Sequence, residues 1–263
     1  GIITKVGTAH HEGFGSLEGV LKAKTELYEH LRKVNGIAIY DDQNPLLTEK
    51  IYKIVNRGVP YSNPTGVELV VEALSSEMNL AVRVKYEHKT YDIQTGLFGA
   101  YNLGNIKAAI ATGLFLGVEM EDIAEAVGKY QPGNNRSQVK TTPNNTLVCD
   151  AYNANPTSMT AAINSFFELK TSKKILILGD MLELGDKSEE EHLKLLEALK
   201  SLKPEKVFLV GSMFQKISAG TDIKSFHNVE KLREYLKAEP LKGSLILIKG
   251  SRGMTLEKIY DLL

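Results

Sequence analysis

The chain has 263 residues, with 32 Lys and Arg against 32 Asp and Glu, and therefore a formal net charge of zero. Its hydrophobic content of 43% and charged content of 24% are ordinary globular values, which excludes a disordered or fibrous protein. The balanced charge removes the simplest argument for binding nucleic acid or an anionic membrane surface, and no apolar run approaches the roughly 20 residues of a membrane span.

The first third of the chain alternates short apolar runs with helical patterns. Residues 2–6 and 36–40 have the composition of buried strands, and Ser16 precedes a stretch in which apolar residues recur every three or four positions. This pattern predicts a helix that Ser16 caps and that packs one face into a core. A second helix is expected to begin at Pro45.

A β-rich region follows between residues 59 and 95. It contains short segments at 67–71, 80–86 and 90–94, and in the second of them apolar and basic side chains alternate. Alternation with a period of two predicts a strand with one buried and one solvated face. The region is therefore predicted to form an antiparallel meander.

The sequence then predicts two helices and a domain boundary. The helices are expected at about residues 102–116 and 121–127, and a Gln-Pro-Gly-Asn-Asn stretch at 131–135 follows them. This stretch is the strongest breaker of regular structure in the chain. Because the length suits about two domains, we predict one domain at 1–132 and another at 133–263.

The second half repeats strand then helix. Apolar strands alternate with amphipathic helices, which predicts an α/β domain with a mostly parallel sheet covered on both faces. Ser188 and Glu191 predict a capping box at the start of one helix, and a closing helix is expected from about Thr255. Ligands of such sheets bind beyond the carboxyl ends of the strands, where the Gly-rich and polar clusters fall.

Lys24 has an unusual position in the first predicted helix. It stands seven residues after Leu17 and three before Leu27, so helical spacing places its stem on the apolar face. Burial of an uncompensated ammonium is costly, so such a lysine extends its head to solvent, pairs with an anion, or is chemically changed. The spacing alone favours the first of these, a lysine at the edge of the core.

Polar residues in two loops are candidates for ligand binding. His10 follows the first predicted strand and has the chemistry to hold a metal, with Asp41 and Asp42 at the end of the neighbouring strand as further oxygen ligands. Arg136 follows the breaker, where a guanidinium can reach a phosphate or stack on a base. Without further context, ordinary solvated loop residues are the better explanation of both features.

The strand predicted at 146–149 ends in a polar sequence. Asp150, Asn153 and Asn155 are placed there to orient phosphates or a bound cation. Turn formation and helix capping, for which Asp and Asn are also suited, are the alternative. Lys249 and Arg252 lie at the end of another predicted strand, with the same two interpretations.

Five segments occur together and in order along the chain. They are AHHEGFGS at 9–16, KAK at 22–24, DAYNANP at 150–156, LGDMLELG at 178–185 and KGSRG at 249–253. In this combination the sequence resembles the Mur ligase family. The likeness extends over essentially the whole chain.

The resemblance implies a fold. Residues 1–132 would be the C-terminal part of a central ATP-binding domain, with a parallel sheet and a small antiparallel meander, and residues 133–263 a Rossmann-like C-terminal domain. The family also has an N-terminal domain for the UDP-sugar, and a phosphate loop and a magnesium-binding glutamate in the central domain. No phosphate-loop motif occurs in this sequence, so we expect these parts to precede Gly1 in a longer protein. This part alone is then expected to be inactive.

The resemblance also implies roles for residues of the first domain. His10 matches a magnesium-binding histidine. Lys24 matches a lysine that is carbamylated with CO2 in relatives, so that it becomes an anion able to bind magnesium. Both would therefore be metal ligands and catalytic residues, while Asn105 matches an asparagine near the adenine.

In the second domain the resemblance implies a nucleotide site. Arg136 matches a hinge arginine that reaches the nucleotide, and Asp150 a catalytic aspartate near its phosphates and ribose. Asn153 lies in the matching nucleotide-binding loop. The loops that hold the substrates would include three further residues, Asn155, Lys249 and Arg252.

The implied activity is ATP-dependent amide formation that adds D-alanyl-D-alanine to UDP-N-acetylmuramoyl-tripeptide through an acyl phosphate, in peptidoglycan precursor synthesis. ATP, Mg²⁺ and the Lys24 carbamate are the implied cofactors. The single cysteine, Cys149, suits a reducing cytoplasm, and a monomer is the expectation for the family. Two alternatives stay open: a folylpolyglutamate synthase, whose Asp-Gly-Ala-His-Asn-Pro pattern differs from residues 150–156, and a non-catalytic nucleotide-binding module.

Overall fold

The computed structural model describes residues 1–4, 16–74, 78–171 and 173–263. The described residues divide into two compact units. The first contains those up to residue 96 together with 100–131, and the second contains 97–99 and 132–263. The domains expected from the sequence, 1–132 and 133–263, stay a prediction about the folding units of the protein.

Helices and short strands form the first unit. Its described α-helices are α1 (Leu17–Lys33), α2 (Pro45–Ile54), α3 (Leu103–Phe115) and α4 (Met120–Lys129), with a 3₁₀ turn at Ala100–Asn102. Its described strands are β1 (Ala38–Tyr40), β2 (Gly58–Pro60), β3 (Val70–Leu74), β4 (Asn79–Tyr86) and β5 (Lys89–Phe98), the last of which ends in the second unit.

The helix starts in the first unit follow the capping residues of the sequence. The Ser16 hydroxyl accepts a hydrogen bond from the backbone N–H of Gly19 at 3.0 Å, which confirms Ser16 as the cap of α1. At α2, Pro45 occupies the first turn, and the Asn44 side chain accepts a bond from the N–H of Leu47 at 3.3 Å.

The strands of the first unit pair in two separate sets. Strands β1 and β2 are parallel, and Ile2 forms an isolated parallel bridge to Ile39, which is what the described residues contain of the strand expected at 2–6. Strands β3 and β4 pair antiparallel, with Val71 opposite Val84, and β5 is the next strand. The predicted antiparallel meander is thereby confirmed.

The second unit alternates strands with helices. Its strands are β6 (Gln138–Thr141), β7 (Asn145–Asp150), β8 (Lys174–Gly179), β9 (Lys206–Val210), β10 (Lys224–Phe226) and β11 (Ser244–Lys249). Its described α-helices are α5 (Pro156–Glu168), α6 (Ser188–Leu202), α7 (Ser212–Ile217) and α8 (Val229–Ala238), with 3₁₀ segments at Gly185–Lys187, Arg252–Met254 and Leu256–Leu262.

The sheet of the second unit is mostly parallel. The strand order is β10-β9-β8-β11-β7-β6; β6 alone is antiparallel to its neighbour β7, and Leu97 pairs antiparallel with Gln138. Every residue of β8 and β11 is buried, as expected of central strands with helices on both faces. The predicted doubly covered parallel sheet is confirmed.

Of two local expectations in the second unit, the capping box at Ser188 is wrong, whereas the closing helix is present as a 3₁₀ helix. Ser188 does not cap a helix: a 3₁₀ turn leads directly into α6, so Ser188 is already the first helical residue, and its carbonyl pairs with His192 Nδ1 at 2.7 Å. The closing segment is a 3₁₀ helix, Leu256–Leu262, that follows Thr255 in the left-handed conformation.

Among the described helices, none is long and apolar enough to cross a membrane.

Candidate active site

A buried ion pair lies at the carboxyl ends of two central strands. Asp150 ends β7 and Lys249 ends β11, and the two residues face each other in the parallel register. The ammonium of Lys249 donates to Asp150 Oδ2 at 2.6 Å and to the carbonyl of Asn153 at 3.3 Å. Both residues are buried, with exposures of 2% for Lys249 and 8% for Asp150. The pair therefore joins the two strand ends where ligands of parallel sheets bind.

The other oxygen of Asp150 is held by the segment that precedes β6. Asp150 Oδ1 accepts a bond from the backbone N–H of Ser137 at 2.9 Å, with the Ser137 hydroxyl at 3.4 Å. Ser137, Asn134 and Asn135 all have positive φ, between 49° and 58°. Left-handed backbone is tolerated by Asn but is unfavourable for Ser, where it persists because surrounding contacts enforce it. The segment is thus held in a strained form that points its N–H at Asp150.

Arg136 lies in the same strained segment and stacks on an aromatic ring. Its guanidinium carbon is 3.5 Å from the centroid of the Tyr152 ring, which makes a cation–π contact two residues beyond Asp150. Arg136 and Tyr152 are both exposed. An exposed cation is thereby fixed beside the strand ends, where it is accessible to an anion.

The two asparagines that follow Asp150 make local hydrogen bonds. Asn153 Oδ1 accepts from the N–H of Ala154 at 2.8 Å. Asn155 caps α5: its Oδ1 accepts from the N–H of Ser158 at 2.9 Å, and the Ser158 hydroxyl accepts from the Asn155 N–H at 3.1 Å. Helix capping, the alternative interpretation of this motif, is therefore confirmed for Asn155.

Arg252 follows the end of β11 at the start of a 3₁₀ turn. Its side chain is 59% exposed, and one guanidinium nitrogen lies 3.7 Å from Glu257 Oε1. An exposed pair at that distance contributes little to stability. Arg252 is consequently available to an anionic ligand at the same end of the sheet.

A second polar cluster, which the sequence did not predict, organises the loop after β8. The carboxylate of Asp180 accepts backbone N–H bonds from Met213 and Phe214, each at 2.9 Å, and so holds the first turn of α7. Ser251 ties the same loop to the end of β11, because its hydroxyl accepts from the N–H of Leu182 at 2.8 Å. These bonds give the Gly-Asp-Met-Leu-Glu-Leu-Gly motif a structural role.

His192 is the buried support of this loop. It is fully buried, its Nε2 accepts a bond from the N–H of Met181 at 2.9 Å, and its Nδ1 donates to the carbonyl of Ser188 at 2.7 Å. This pattern requires the neutral tautomer with the proton on Nδ1. Burial lowers the pKa of His192 below its ordinary value, although Ser188 and the nearby carboxylate of Asp180 act in the opposite direction.

The lowered pKa of His192 predicts a loss of stability in mild acid. Below the unfolded-state pKa of about 6.5, His192 binds a proton in the unfolded chain but not in the folded state. The free energy of unfolding therefore falls as the pH drops. We expect a decrease of at most about 1.4 kcal/mol per pH unit between about pH 6.5 and the folded pKa. Urea unfolding at about pH 7.5 and about pH 5.5 measures it.

The matched control for this experiment is His192→Gln. Glutamine keeps a neutral acceptor for the Met181 N–H but has no proton to gain, so the variant should lose less stability than the wild type over the same pH interval. An equal loss in the two proteins would show that other groups cause the pH dependence.

Lys24 does not occupy the environment expected from the sequence. It lies four residues after Val20 and four before Tyr28, both of which are buried, yet Lys24 itself is exposed. The helical spacing is correct, but burial also requires another element to pack over that point of the helix. The expectation that the Lys24 stem is buried is therefore wrong. Its proposed partner His10 lies outside the described residues.

Asn105 is exposed in the first turn of α3. Its side-chain amide donates to Asn102 Oδ1 at 3.0 Å, which orients it at the N-terminal end of the helix. The described residues contain no group of three or more His, Cys, Asp or Glu placed to hold a metal ion. On those residues alone, Lys24 is not part of a complete magnesium site.

Two family models match the chain. The Mur ligase middle domain matches residues 1–113, and the Mur ligase glutamate ligase domain matches residues 135–252. The chain belongs to the Mur ligase family. The resemblance seen in the sequence motifs is thereby confirmed, together with the α/β fold that it implied.

Mur ligases of one specificity are among the similar proteins. UDP-N-acetylmuramoyl-tripeptide–D-alanyl-D-alanine ligase is 36% identical in Bacillus subtilis and 31% identical in Escherichia coli K12, in each case over 98% of this chain. The chain spans 57% and 58% of those two proteins. The crystal structure of MurF from Acinetobacter baumannii superposes with a TM-score of 0.80 at 28% identity, covering 99% of this chain and 58% of that one.

Folylpolyglutamate synthases share the fold at greater distance. The Mycobacterium tuberculosis structure has a TM-score of 0.69 at 15% identity. Likeness at this level supports a common fold and carries no information on substrate.

Proposed function

We propose that the complete protein carrying this Mur ligase chain is an ATP-dependent ligase that adds D-alanyl-D-alanine to UDP-N-acetylmuramoyl-tripeptide in cytoplasmic peptidoglycan precursor synthesis. The relatives named above carry that activity in their names. The observation that supports nucleotide chemistry in this chain is the Asp150–Lys249 pair at the carboxyl ends of β7 and β11, beside the exposed guanidinium of Arg136.

Four residues are proposed to bind the nucleotide. Arg136 offers a planar cation that pairs with phosphate oxygens or stacks on a base. Asp150 is held by Lys249 in a fixed orientation, suited to accept hydrogen bonds from ribose hydroxyls. Asn153 belongs to the same loop. Asn105, exposed in the first turn of α3, supplies an amide for the adenine.

The proposed reaction has two steps. The tripeptide carboxylate attacks the γ-phosphorus of ATP, the bond to the bridging oxygen breaks, and ADP leaves with that electron pair. The free amine of D-alanyl-D-alanine then attacks the acyl carbon, phosphate leaves, and the amine loses a proton as the amide forms. Arg136 would offset negative charge during the first step. Arg252 is proposed to contact an anionic group of a substrate, and Asn155 to fix the loop through its cap of α5.

Lys24 and His10 are proposed to contribute to a magnesium site. A carbamate on Lys24 would replace its cation by an oxygen anion of the kind that Mg²⁺ prefers. Mg²⁺ would supply charge neutralisation on the transferring phosphoryl group. Since the described residues do not complete a ligand set, no step of the reaction is derived through the metal.

The proposed function predicts strict dependence on both peptide substrates. The complete protein should release ADP and phosphate from ATP only when UDP-N-acetylmuramoyl-tripeptide and D-alanyl-D-alanine are present together, because the acyl phosphate needs the amine for turnover. A coupled ADP assay with mass spectrometry of the product measures this. Glutamate with a folate is the control pair for the folylpolyglutamate alternative.

Three outcomes distinguish the candidates. Ligation of D-alanyl-D-alanine supports the proposal. Turnover with folate and glutamate would show a folylpolyglutamate synthase instead. Nucleotide binding without any turnover by the complete protein would favour a non-catalytic module.

A further inference from the structure

We propose that Lys249 is a positioning residue that acts through Asp150, and that it does not contact nucleotide or peptide itself. This inference rests on the proposed function, because it assigns Lys249 a part in the nucleotide site. The sequence motif alone placed Lys249 among residues expected to contact substrate. In the structure Lys249 instead lies beneath Asp150, the residue that is proposed to bind the nucleotide.

The Lys249 side chain is buried more deeply than that of Asp150, as a positioning role requires. The Lys249 side chain is 3% exposed, whereas that of Asp150 is 12% exposed. A ligand that approaches the strand ends therefore meets the carboxylate before it meets the ammonium. Because a buried ammonium is costly without an anion, Lys249 stays with Asp150 rather than turning toward a ligand.

The Asp150 carboxylate is held from two sides. Lys249 fixes Oδ2 at 2.6 Å, and the N–H of Ser137 fixes Oδ1 at 2.9 Å. With both oxygens engaged, the side chain has one orientation before any ligand arrives. Preorganisation of this kind raises affinity because binding need not order the group.

Lys249 also fixes the loop that follows Asp150. Its second bond, at 3.3 Å, goes to the carbonyl of Asn153, one residue beyond the Tyr152 ring on which Arg136 stacks. Lys249 itself cannot shift along the sheet, because its strand lies between β7 and β8 and its backbone pairs with Asp150 and Leu178. One buried ammonium thus holds the carboxylate and the loop in a common arrangement.

A double-mutant cycle in the complete protein tests this role. Lys249→Met should raise the KM for ATP about tenfold or more, with little change in the KM for D-alanyl-D-alanine, because a misplaced binding group weakens only the ligand that it contacts. In an Asp150→Asn background the same substitution should raise the KM for ATP less than about threefold, since its partner has already been altered.

Three further variants complete the experiment. Lys249→Arg keeps the charge and should recover part of the ATP affinity. Lys242→Met, at an exposed lysine that precedes the same strand, is the matched control and should leave both KM values unchanged. If Lys249→Met does not fold, Lys249→Gln retains an N–H donor toward Asp150 and takes its place in the cycle.

The outcomes separate this inference from the proposed function. Equal effects of Lys249→Met in the wild-type and Asp150→Asn backgrounds would overturn the positioning role, and so would a rise confined to the KM for D-alanyl-D-alanine. A wild-type protein without ATP-dependent ligation would contradict the proposed function instead.

Discussion

Replacement of Gly211 by alanine is expected to destabilise the second unit by roughly 3–6 kcal/mol, since strain adds to the loss of two charge-assisted hydrogen bonds. Gly211 has φ of +126°, and a Cβ there would lie 2.2 Å from Cγ of Asp180. The carboxylate cannot move aside without releasing the N–H groups of Met213 and Phe214. Thermal unfolding of the protein should show a midpoint lower by about 10 °C or more.

Two variants test the cause of this effect. Gly220→Ala is the matched control, because Gly220 also has positive φ, +82°, but a Cβ there meets nothing within 4 Å; we expect a loss of about 1 kcal/mol from strain alone. Asp180→Ala removes the clash. The double variant Asp180→Ala/Gly211→Ala should therefore lose little more stability than Gly211→Ala alone. Fully additive losses would show that the Asp180 contact is not the cause.

The sheet of the second unit was predictable because its sequence pattern has one interpretation. Continuous apolar strands such as β8 and β11 alternate with helices whose apolar residues recur at helical spacing, and a parallel sheet covered on both faces is the arrangement that buries all of them. The cap at Ser16 was equally informative, because one side chain determines the local backbone at the start of α1.

The environment of individual site residues was harder to predict. Lys24 shares a helix face with Val20 and Tyr28, but periodicity describes direction and not what packs there. The partners Asp150 and Lys249 are 99 residues apart. Their pairing depends on β11 lying beside β7, a strand order that the sequence pattern does not contain.

The support of the loop after β8 was missed for a similar reason. His192 precedes Leu195, Leu196 and Leu199 at the spacing of one buried helix face, so the pattern signals that its ring is buried but not that the ring accepts the N–H of Met181. The Gly-Asp that ends β8 and the Gly211 that follows β9 were the available signals. Each marks a close backbone approach only once the two strands are known to be neighbours.

Lys24→Ala is expected to lower kcat of the complete protein by about 10²–10³-fold or more, the range seen when one group that stabilises transition-state charge is lost. The reason is the proposed carbamate, which alanine cannot form. Because Lys24 is exposed and alanine is a good helix former, the thermal midpoint should change little. Initial rates with saturating ATP and both peptide substrates measure the effect.

The control residue is Lys22, which is exposed on the same helix two positions earlier. Lys22→Ala removes an equal charge and should retain activity, so a shared loss of surface charge cannot explain a difference between the two variants. Carbamate chemistry adds an independent readout: removal of CO2 should lower the wild-type rate, bicarbonate should restore it, and Lys24→Ala should not respond. If Lys24→Ala kept full activity, or if wild-type activity were indifferent to CO2, the proposed carbamate on Lys24 would be wrong.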